Sequence, residues 1–361
     1  MIKKGKLNDY LEIIGEDSWA TWNEEKMNNA LSLEENETVH FCPWTNDMET
    51  LSKIDETIFS RRPDLTLFID RRYQSDGTFG REKDGKVIPC FFEDLCQIMI
   101  DKLSEMKHVK NLIVDILKLP SIDVLGKLTG LISLLIDCDG KNSLSFLPHL
   151  KNLQTLNLNG NFKDIGYISE CKNLKSLRLQ ANEINGKLNK FEINDLSFLQ
   201  KMNLEYLEIN LAKISCNIEL CKSLKTFILA NSNVDDISFL SEYSSLTELL
   251  LHRLNITQLN SLSGLHNLKA LSLEYLKDID ISALNHNTSI EYLQVEDCKS
   301  VNSKQLVDLI KTLKNLRKVK ADGVKLMNLY EQLKKVGLDH LVPQGKDTPE
   351  LFEKSRYLNI Y

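Results

Sequence analysis

Apolar residues recur along residues 109–321 at intervals that fit neither a regular helix nor a regular strand. In the stretch LKNLQTLNLNGN, residues 150–161, leucines stand at 150, 153, 156 and 158. An amphipathic helix would place apolar residues three and four apart, and a half-buried strand would place them two apart. A step of three followed by a step of two predicts a turn that enters a very short strand.

The same unit recurs ten times along the chain. Its first apolar residue lies at positions 109, 131, 153, 174, 204, 224, 246, 268, 290 and 316. One such unit cannot bury its own leucines, but stacked units form a parallel sheet with a continuous apolar core behind it. The tenth unit is degenerate, because Ala321 stands where a larger apolar residue is expected.

This pattern, L-x-x-L-x-L-x-x-N/C-x-L, resembles the leucine-rich repeat family. Asn161, Asn182 and Cys298 occupy the N/C position of three units, and other residues occupy it elsewhere, so the asparagine ladder of the family is expected to be incomplete. The returning segments LSFLPHLKNL, DLSFLQKMNL and DISFLSEYSSL resemble the bacterial, internalin-like class with repeats of roughly 22 residues. The resemblance implies an α/β leucine-rich repeat solenoid, with a curved parallel sheet of about ten repeats.

The domain organisation follows from where the repeats begin and end. Residues 1–107 do not repeat and are predicted to form an N-terminal α/β capping module, ahead of a solenoid over residues 108–323. Within the module, the alternation of Leu65, Leu67 and Ile69 predicts a strand that extends the solenoid sheet. The spacing of apolar residues over 91–106 predicts a helix that leads into the first repeat.

Residues 324–361 are predicted to form a C-terminal helical cap and tail. The cap is expected because the last repeat would otherwise expose its core. One helical face is predicted to carry the apolar residues Leu326, Leu329, Leu333 and Val336. The apolar residues of the tail, which include Leu351 and Phe352, are expected to pack back on the solenoid.

The residues between the leucines are expected on the concave face of the solenoid. Large apolar side chains there would form a patch rimmed by charge, a typical protein-binding surface. The predicted binding residues are Tyr206, Glu208, Ile228, Glu248, Leu250, His252, Glu274, Tyr292 and Glu296. Two alternatives remain open: these are ordinary solvent-facing sheet residues, or the tail covers them.

An insertion of about eight residues lies between the units that begin at 174 and 204. It falls near INGKLNKFEIN, residues 184–194. Insertions in repeat proteins become loops on one face, often the binding face. Lys187, Lys190 and Phe191 are therefore candidate contact residues, and a loop without a binding role is an equal alternative.

The composition of the chain indicates which class of partner and which cellular compartment to expect. The formal net charge is -6, from 51 acidic and 45 basic side chains, which argues against a nucleic-acid partner. The chain has no window that approaches the 18 or so apolar residues of a membrane span. Its eight cysteines include no C-x-x-C pair, which predicts mainly buried free thiols and a cytoplasmic protein.

Catalytic and metal-binding motifs are not found in the sequence, so neither a metal nor a cofactor is expected. The pattern favours a non-catalytic scaffold, a monomer that docks one protein partner on the concave face, with an inhibitor or immunity-type protein as the specific form. A rival hypothesis is an enzyme or ligand sensor seated in the N-terminal module. Its pocket would be lined by the tryptophans and by Arg61, Arg62, Arg71 and Arg72. A host-directed bacterial effector is a third alternative.

Overall fold

The computed structural model describes residues 21–41, 46–69, 78–83, 86–116, 121–138, 141–181, 183–184, 187–188, 191–285, 287–342 and 349–352. The chain divides into two compact units. The first unit consists of Met1–Leu174 and Ala181–Asn189, and the second consists of Lys175–Gln180 and Lys190–Tyr361.

The first unit begins with a non-repeating segment that joins the sheet of the first repeats. Its elements are α1 (Glu24–Ala30), β1 (Thr38–Phe41), α2 (Glu49–Ile54, continued as a π-helical turn over Asp55–Phe59), β2 (Thr66–Ile69), β3 (Thr78–Lys83), β4 (Lys86–Phe91), α3 (Phe92–Leu103), β5 (Asn111–Asp115), β6 (Ser133–Asp137) and β7 (Thr155–Asn159). Strands β1, β2, β5, β6 and β7 form a parallel sheet in that order. Strands β3 and β4 form a separate antiparallel pair.

The second unit begins with β8 (Ser176–Gln180), and the short antiparallel pair β9 (Glu183–Ile184) and β10 (Lys187–Leu188) belongs to the first unit. The second unit continues with β11 (Phe191–Ile193), β12 (Tyr206–Asn210), β13 (Ala212–Ile214), β14 (Thr226–Ala230), β15 (Glu248–His252), β16 (Ala270–Glu274), β17 (Tyr292–Glu296), α4 (Ser303–Ile310), β18 (Lys318–Asp322) and α5 (Leu329–Lys335). Its parallel sheet has the order β8-β12-β14-β15-β16-β17-β18.

The ten predicted repeats are confirmed, because each contributes one strand that begins two residues after its first apolar residue. The parallel register aligns equal positions of neighbouring repeats, so Leu249 lies beside Leu271 and Leu251 beside Leu273. These leucines are fully buried. The first, third and fifth residues of each strand lie on the opposite side of the sheet, which we call the front face. The fold is a leucine-rich repeat solenoid.

The returning segments of seven repeats are 3₁₀ turns. They are Asp123–Lys127, Leu147–His149, Ile165–Glu170, Ser197–Lys201, Ser238–Glu242, Asn260–Gly264 and Ile281–Leu284. The ninth repeat instead returns through α4, which has a capping box formed by Asn302 and Gln305. Its longer spacing leaves room for this helix, which was not predicted.

Neighbouring repeats are tied by the residue that precedes the first apolar position, a ladder that the consensus pattern did not reveal. Four asparagine amides donate to backbone carbonyls of the preceding repeat: Asn152 to Thr129 at 3.0 Å, and Asn173 to Lys151, Asn267 to Ser244 and Asn315 to Thr288 at 2.8 Å each. Serine hydroxyls do the same at three more repeats, from Ser223, Ser245 and Ser289. These hydrogen bonds form at the turn before each strand. They supplement the asparagine ladder at the N/C position, which is incomplete in this sequence.

The chain leaves several strands of the second unit through a residue with left-handed backbone. Arg253, Tyr275 and Asp297 have φ of 49°, 53° and 45°. Such residues are strained unless a compensating contact holds them. Their N–H groups donate to the last carbonyl of the next strand, on Glu274, Glu296 and Asp322, at 2.8–3.0 Å. The strained turn therefore adds one more bond between repeats.

The predicted terminal elements are found with two differences. The strand predicted around Leu67 is β2, which extends the sheet beside β5, and β1 adds a further strand that was not predicted. The predicted helix over 91–106 is α3. At the C-terminal end, Leu326, Leu329 and Leu333 are buried, but Val336 is 44% exposed. The prediction for Val336 is wrong because α5 ends at Lys335, before a fourth residue can join that face.

The side chain of Asp55 joins the helical part of the first unit to its first repeat. Asp55 is buried, and its carboxylate accepts the N–H groups of Lys107 at 2.6 Å, His108 at 3.0 Å and Val109 at 3.2 Å. These groups lie just before β5, where the backbone has not yet entered the sheet. One carboxylate therefore satisfies three donors that the strand pairing does not reach.

The five cysteines whose side chains are described carry free thiols, and Cys138, Cys171, Cys221 and Cys298 are buried. Burial raises the pKa of Cys171 to about 11 and that of Cys298 to about 12. Cys216 is half-buried, and desolvation raises its pKa too. The thiols of Cys171, Cys216 and Cys298 are therefore protonated at neutral pH. Cys42, Cys90 and Cys96 fall outside the part of the chain whose side chains are described.

We expect Asp55→Ala to lower the free energy of unfolding by about 2–3 kcal/mol, because it leaves three backbone donors, including the buried N–H of Val109, without their acceptor. Glu56→Ala, at the exposed neighbouring position, is the matched control and is expected to change stability by less than about 0.5 kcal/mol. Urea unfolding followed by circular dichroism measures both. Equal effects of the two substitutions would contradict the structural role of Asp55.

The thiols should differ in their reactivity toward iodoacetamide at pH 8. We expect Cys216 to be alkylated at least about tenfold faster than Cys298, because reaction requires both access and the thiolate form. Peptide mass spectrometry of a time course resolves each site, and labelling in denaturant provides the control for complete reaction. Similar rates at the two cysteines in the folded protein would refute this assignment.

Candidate protein-binding face

The predicted binding residues lie on the front face of the second unit in three columns that cross the strands. The first column is Tyr206, Thr226, Glu248, Ala270, Tyr292 and Lys318. The second is Glu208, Ile228, Leu250, Ser272, Gln294 and Lys320, and the third is Asn210, Ala230, His252, Glu274, Glu296 and Asp322. The register therefore brings together all nine residues that the sequence selected for this face.

An apolar cluster occupies the centre of this face, and it is covered. The C-terminal tail contributes Leu351 and Phe352, each 1% exposed, to the cluster. The front-face members are Tyr206, Ile228, Ala230, Leu250 and Ala270, with the half-buried Tyr292 packed against them. The expectation of an exposed patch is therefore corrected. Leu351 and Phe352 cover these residues, in agreement with the alternative that the tail packs on this face. Residues 353–361 lie outside the described part.

Glu208 is buried on this face and is held by two donors. Its Oε2 atom lies 2.8 Å from Nη2 of Arg178 and accepts the hydroxyl of Tyr206 at 2.6 Å. Burial and the Glu208 charge raise the pKa of Tyr206 well above its usual value, so the hydroxyl remains a donor. Burial alone would lower the pKa of Arg178, but Glu208 and Tyr206 together raise it. The Oε1 atom of Glu208 has no hydrogen-bond partner in the described part of the chain.

A second buried network surrounds Glu274. His252 Nδ1 lies 2.9 Å from Glu274 Oε2, and both side chains are fully buried. Glu274 Oε1 accepts from the hydroxyl of Ser272 at 2.5 Å and from the amide of Gln294 at 3.0 Å. None of the described residues forms a hydrogen bond with the Nε2 atom of His252. Both oxygens of the Glu274 carboxylate thus have hydrogen-bond partners, whereas the Nε2 side of the His252 imidazole has none among the described residues.

The rim of the cluster is polar and half-buried. Glu296 accepts the hydroxyl of Tyr275 at 2.9 Å, and burial and this bond raise the pKa of Tyr275 to about 12. Glu248 accepts the hydroxyl of Thr226 at 2.9 Å. The face therefore has an apolar centre with carboxylates around it, as the sequence predicts, but its polar groups are already engaged with one another.

Of the three residues selected from the insertion, Phe191 is the one whose side chain the structure describes. Phe191 is fully buried, because β11 pairs in parallel with β13 and turns this side chain into the core. The prediction of Phe191 as a contact residue is therefore wrong. Lys187 belongs to β10, but its side chain is outside the described part, as is the whole of Lys190.

In the N-terminal module, Trp22 and Arg62 serve structural contacts. Trp22 is 9% exposed, and its indole N–H donates to the carbonyl of His40 at 2.9 Å. Arg62 pairs with Asp64 at 2.7 Å and donates to the carbonyls of Leu31 and Leu33 at 2.8 Å each. Arg61 is exposed, while Arg71, Arg72, Trp19 and Trp44 lie outside the described residues. Trp22 and Arg62 of the rival site therefore serve contacts within the N-terminal segment, and Arg61 faces solvent.

Neither a metal centre nor a membrane span is seen in the described part of the chain. No group of three or more His, Cys, Asp or Glu side chains there could hold a metal ion. Within the same residues, every helix is too short or too polar to cross a bilayer.

Comparisons with known proteins find similar solved structures. An internalin (InlF) from Listeria monocytogenes aligns over 75% of this chain and 92% of its own, at 17% identity and a TM-score of 0.47. TLR13, in its complex with ssRNA13, aligns over 80% of this chain and 43% of its own, at 17% identity and a TM-score of 0.49. The leucine-rich repeat ectodomain of GASSHO1/SCHENGEN3 from Arabidopsis thaliana, in complex with CASPARIAN STRIP INTEGRITY FACTOR 2, aligns over 64% of this chain and 35% of its own, at 16% identity and a TM-score of 0.35.

Family models and curated proteins yield no match to the sequence. The parallel register of its repeats gives the chain the leucine-rich repeat solenoid fold. The repeats resemble the bacterial, internalin-like class.

We expect Arg178→Met to lower the free energy of unfolding by about 3–5 kcal/mol, because it leaves the buried Glu208 without its counter-charge. Arg317→Met removes the same side chain from an exposed pair with Glu291, and should cost less than about 1 kcal/mol. Adding Glu208→Gln to Arg178→Met should restore part of the loss, since the buried charge is then gone. Urea midpoints of the four proteins test this, and an Arg178→Met effect no larger than that of Arg317→Met would refute it.

Proposed function

We propose that the protein is a non-catalytic scaffold that docks one protein partner on the front face of the second unit. The observation that supports this proposal is the apolar cluster at the centre of that face. Residues such as Ile228 and Leu250 stand at positions where a solvent-facing sheet would favour polar side chains. Apolar centres with polar rims are typical of protein interfaces.

The charge of the face favours a protein over a nucleic acid. Its carboxylates Glu208, Glu248, Glu274 and Glu296 would repel a phosphate backbone, whereas a basic protein segment would complement them. The partner that fits best is therefore a protein surface with apolar anchors and nearby basic groups.

In its specific form, the proposal makes this chain an inhibitor or immunity-type protein that blocks a toxin or an enzyme by occupying its surface. This extension rests on analogy at the level of the fold, since a solenoid offers a long rigid docking face. We further propose that the protein acts as a monomer in the cytoplasm. The buried free thiols support the cytoplasmic location.

Each part of the chain has a role in this proposal. Residues 1–107 cap the solenoid, residues 108–323 form its binding body, and residues 324–361 close the other end and supply the tail. An enzyme or sensor in the first segment is less well supported, because Trp22 and Arg62 are engaged in structural contacts.

The test is recovery of a partner from native lysate, followed by direct measurement of its affinity for two tyrosine variants. We expect Tyr292→Ala to weaken binding at least about tenfold, because tyrosines at the edge of an apolar centre are frequent energetic centres of interfaces. Tyr167→Ala, which removes a 42% exposed tyrosine from a returning segment, is the matched control and should bind as wild type does.

Circular dichroism confirms that both tyrosine variants fold. If a partner binds both variants with wild-type affinity, its site is not the front face of the second unit. If wild-type protein recovers no stoichiometric partner at any salt concentration, the scaffold function itself is contradicted.

A further inference from the structure

The described end of the tail occupies the apolar centre of the front face. Leu351 and Phe352 are adjacent in sequence, are each 1% exposed, and belong to one cluster with Tyr206, Ile228 and Leu250. They lie in a single helical turn, in which the N–H of Phe352 donates to the carbonyl of Pro349 at 3.0 Å. Two neighbouring large apolar side chains on one turn thus fill the centre of the proposed binding face.

We propose that this face is a groove for a short helical segment bearing two adjacent large apolar side chains, and that Leu351 and Phe352 occupy it until a partner segment of the same chemistry displaces them. This inference rests on the proposed function and names the partner class and the regulation of that site. The tail is then an internal competitor whose own side chains define what the groove accepts.

The apolar centre lies outside the leucine core that holds the solenoid together. The core residues Leu249 and Leu251 alternate with Leu250 along the same strand and are buried on the other side of the sheet. An isolated helical turn is too short to be stable alone, so the tail depends on the groove for its conformation. The groove, in contrast, is built by the repeat register and does not need the tail for its formation.

Buried polar atoms beside the groove indicate what a partner adds to the apolar pair. Glu208 Oε1 and His252 Nε2 are buried and have no hydrogen-bond partner among the residues that the structure describes. A partner segment with a lysine, arginine or amide donor next to its apolar pair would satisfy Glu208, and a second polar group would satisfy His252. The tail sequence PELFEKSRYLNIY carries Lys354 and Arg356 shortly after Phe352, which fits the same chemistry.

A tethered competitor has a predictable effect on affinity. A segment attached to its own site acts at an effective concentration of about millimolar, so it reduces the apparent affinity of any free segment for the same groove. Removing the two apolar anchors from the tail, while leaving the chain at full length, should therefore open the groove to a free peptide.

The experiment measures binding of a labelled peptide PELFEKSRYLNIY, residues 349–361, to full-length proteins by fluorescence anisotropy. We expect the double variant Leu351→Ala/Phe352→Ala to bind the peptide at least about tenfold more tightly than wild type does. A control peptide with alanine in place of both Leu351 and Phe352 should bind neither protein. Adding Ile228→Ala to the double variant should weaken peptide binding again, because it removes part of the groove.

A matched control variant removes two other apolar side chains from the C-terminal region. Val324 and Met327 are 83% and 77% exposed, so Val324→Ala/Met327→Ala should bind the peptide no better than wild type does. Circular dichroism and urea unfolding establish that each variant is folded. If the double tail variant loses the wild-type spectrum, the single variant Leu351→Ala is measured with the same two peptides.

The proposal is overturned if the peptide binds wild type and the folded tail variant equally, or if it binds neither. It is also overturned if the alanine control peptide binds as tightly as the natural sequence. The peptide comes from the chain itself, so this outcome is independent of whether lysate contains a partner. If the pull-down recovers no partner but the peptide binds the tail variant, the scaffold function is contradicted. If a partner is recovered but the peptide does not bind, only the competition by the tail is contradicted.

Discussion

The alignment of equal positions in neighbouring repeats is the constraint on which the rest of the structure depends. A repeat of about 22 residues cannot bury its leucines alone, so each strand must lie beside its neighbour in a register that places leucine beside leucine. The same register orders every residue of the front face into columns. Asparagine and serine side chains at the turns, together with the left-handed residues after several strands, hold that register between the leucine contacts.

Burial on the front face follows from those columns. Once Ile228 and Leu250 lie side by side, they form an apolar surface, which Leu351 and Phe352 cover. Glu208 and Glu274 are buried on the same face, and each carboxylate needs donors from neighbouring side chains. Arg178 and Tyr206 supply these donors for Glu208, and Ser272, Gln294 and His252 supply them for Glu274.

The polar networks make the face rigid rather than reactive. Their carboxylates are engaged with donors from adjacent strands, which fixes side-chain conformations before any partner arrives and reduces the entropy lost on binding. Trp22 and Arg62 are likewise engaged, in hydrogen bonds to the backbone of the N-terminal segment itself. These arrangements suit a protein that presents a preformed surface.

The sequence by itself determined the repeats, the ten strands, the side of each strand that faces the leucine core and the columns of the front face. It could do so because these features depend on the local spacing of apolar residues, and this spacing recurs in every repeat. Burial outside the repeated leucine positions was decided only by the tertiary structure. The cover over Leu250 comes from residues about 100 positions away, the core position of Phe191 depends on pairing with β13, and Asp55 meets donors more than 50 residues distant. Such contacts join segments without a shared pattern, so no periodicity could reveal them.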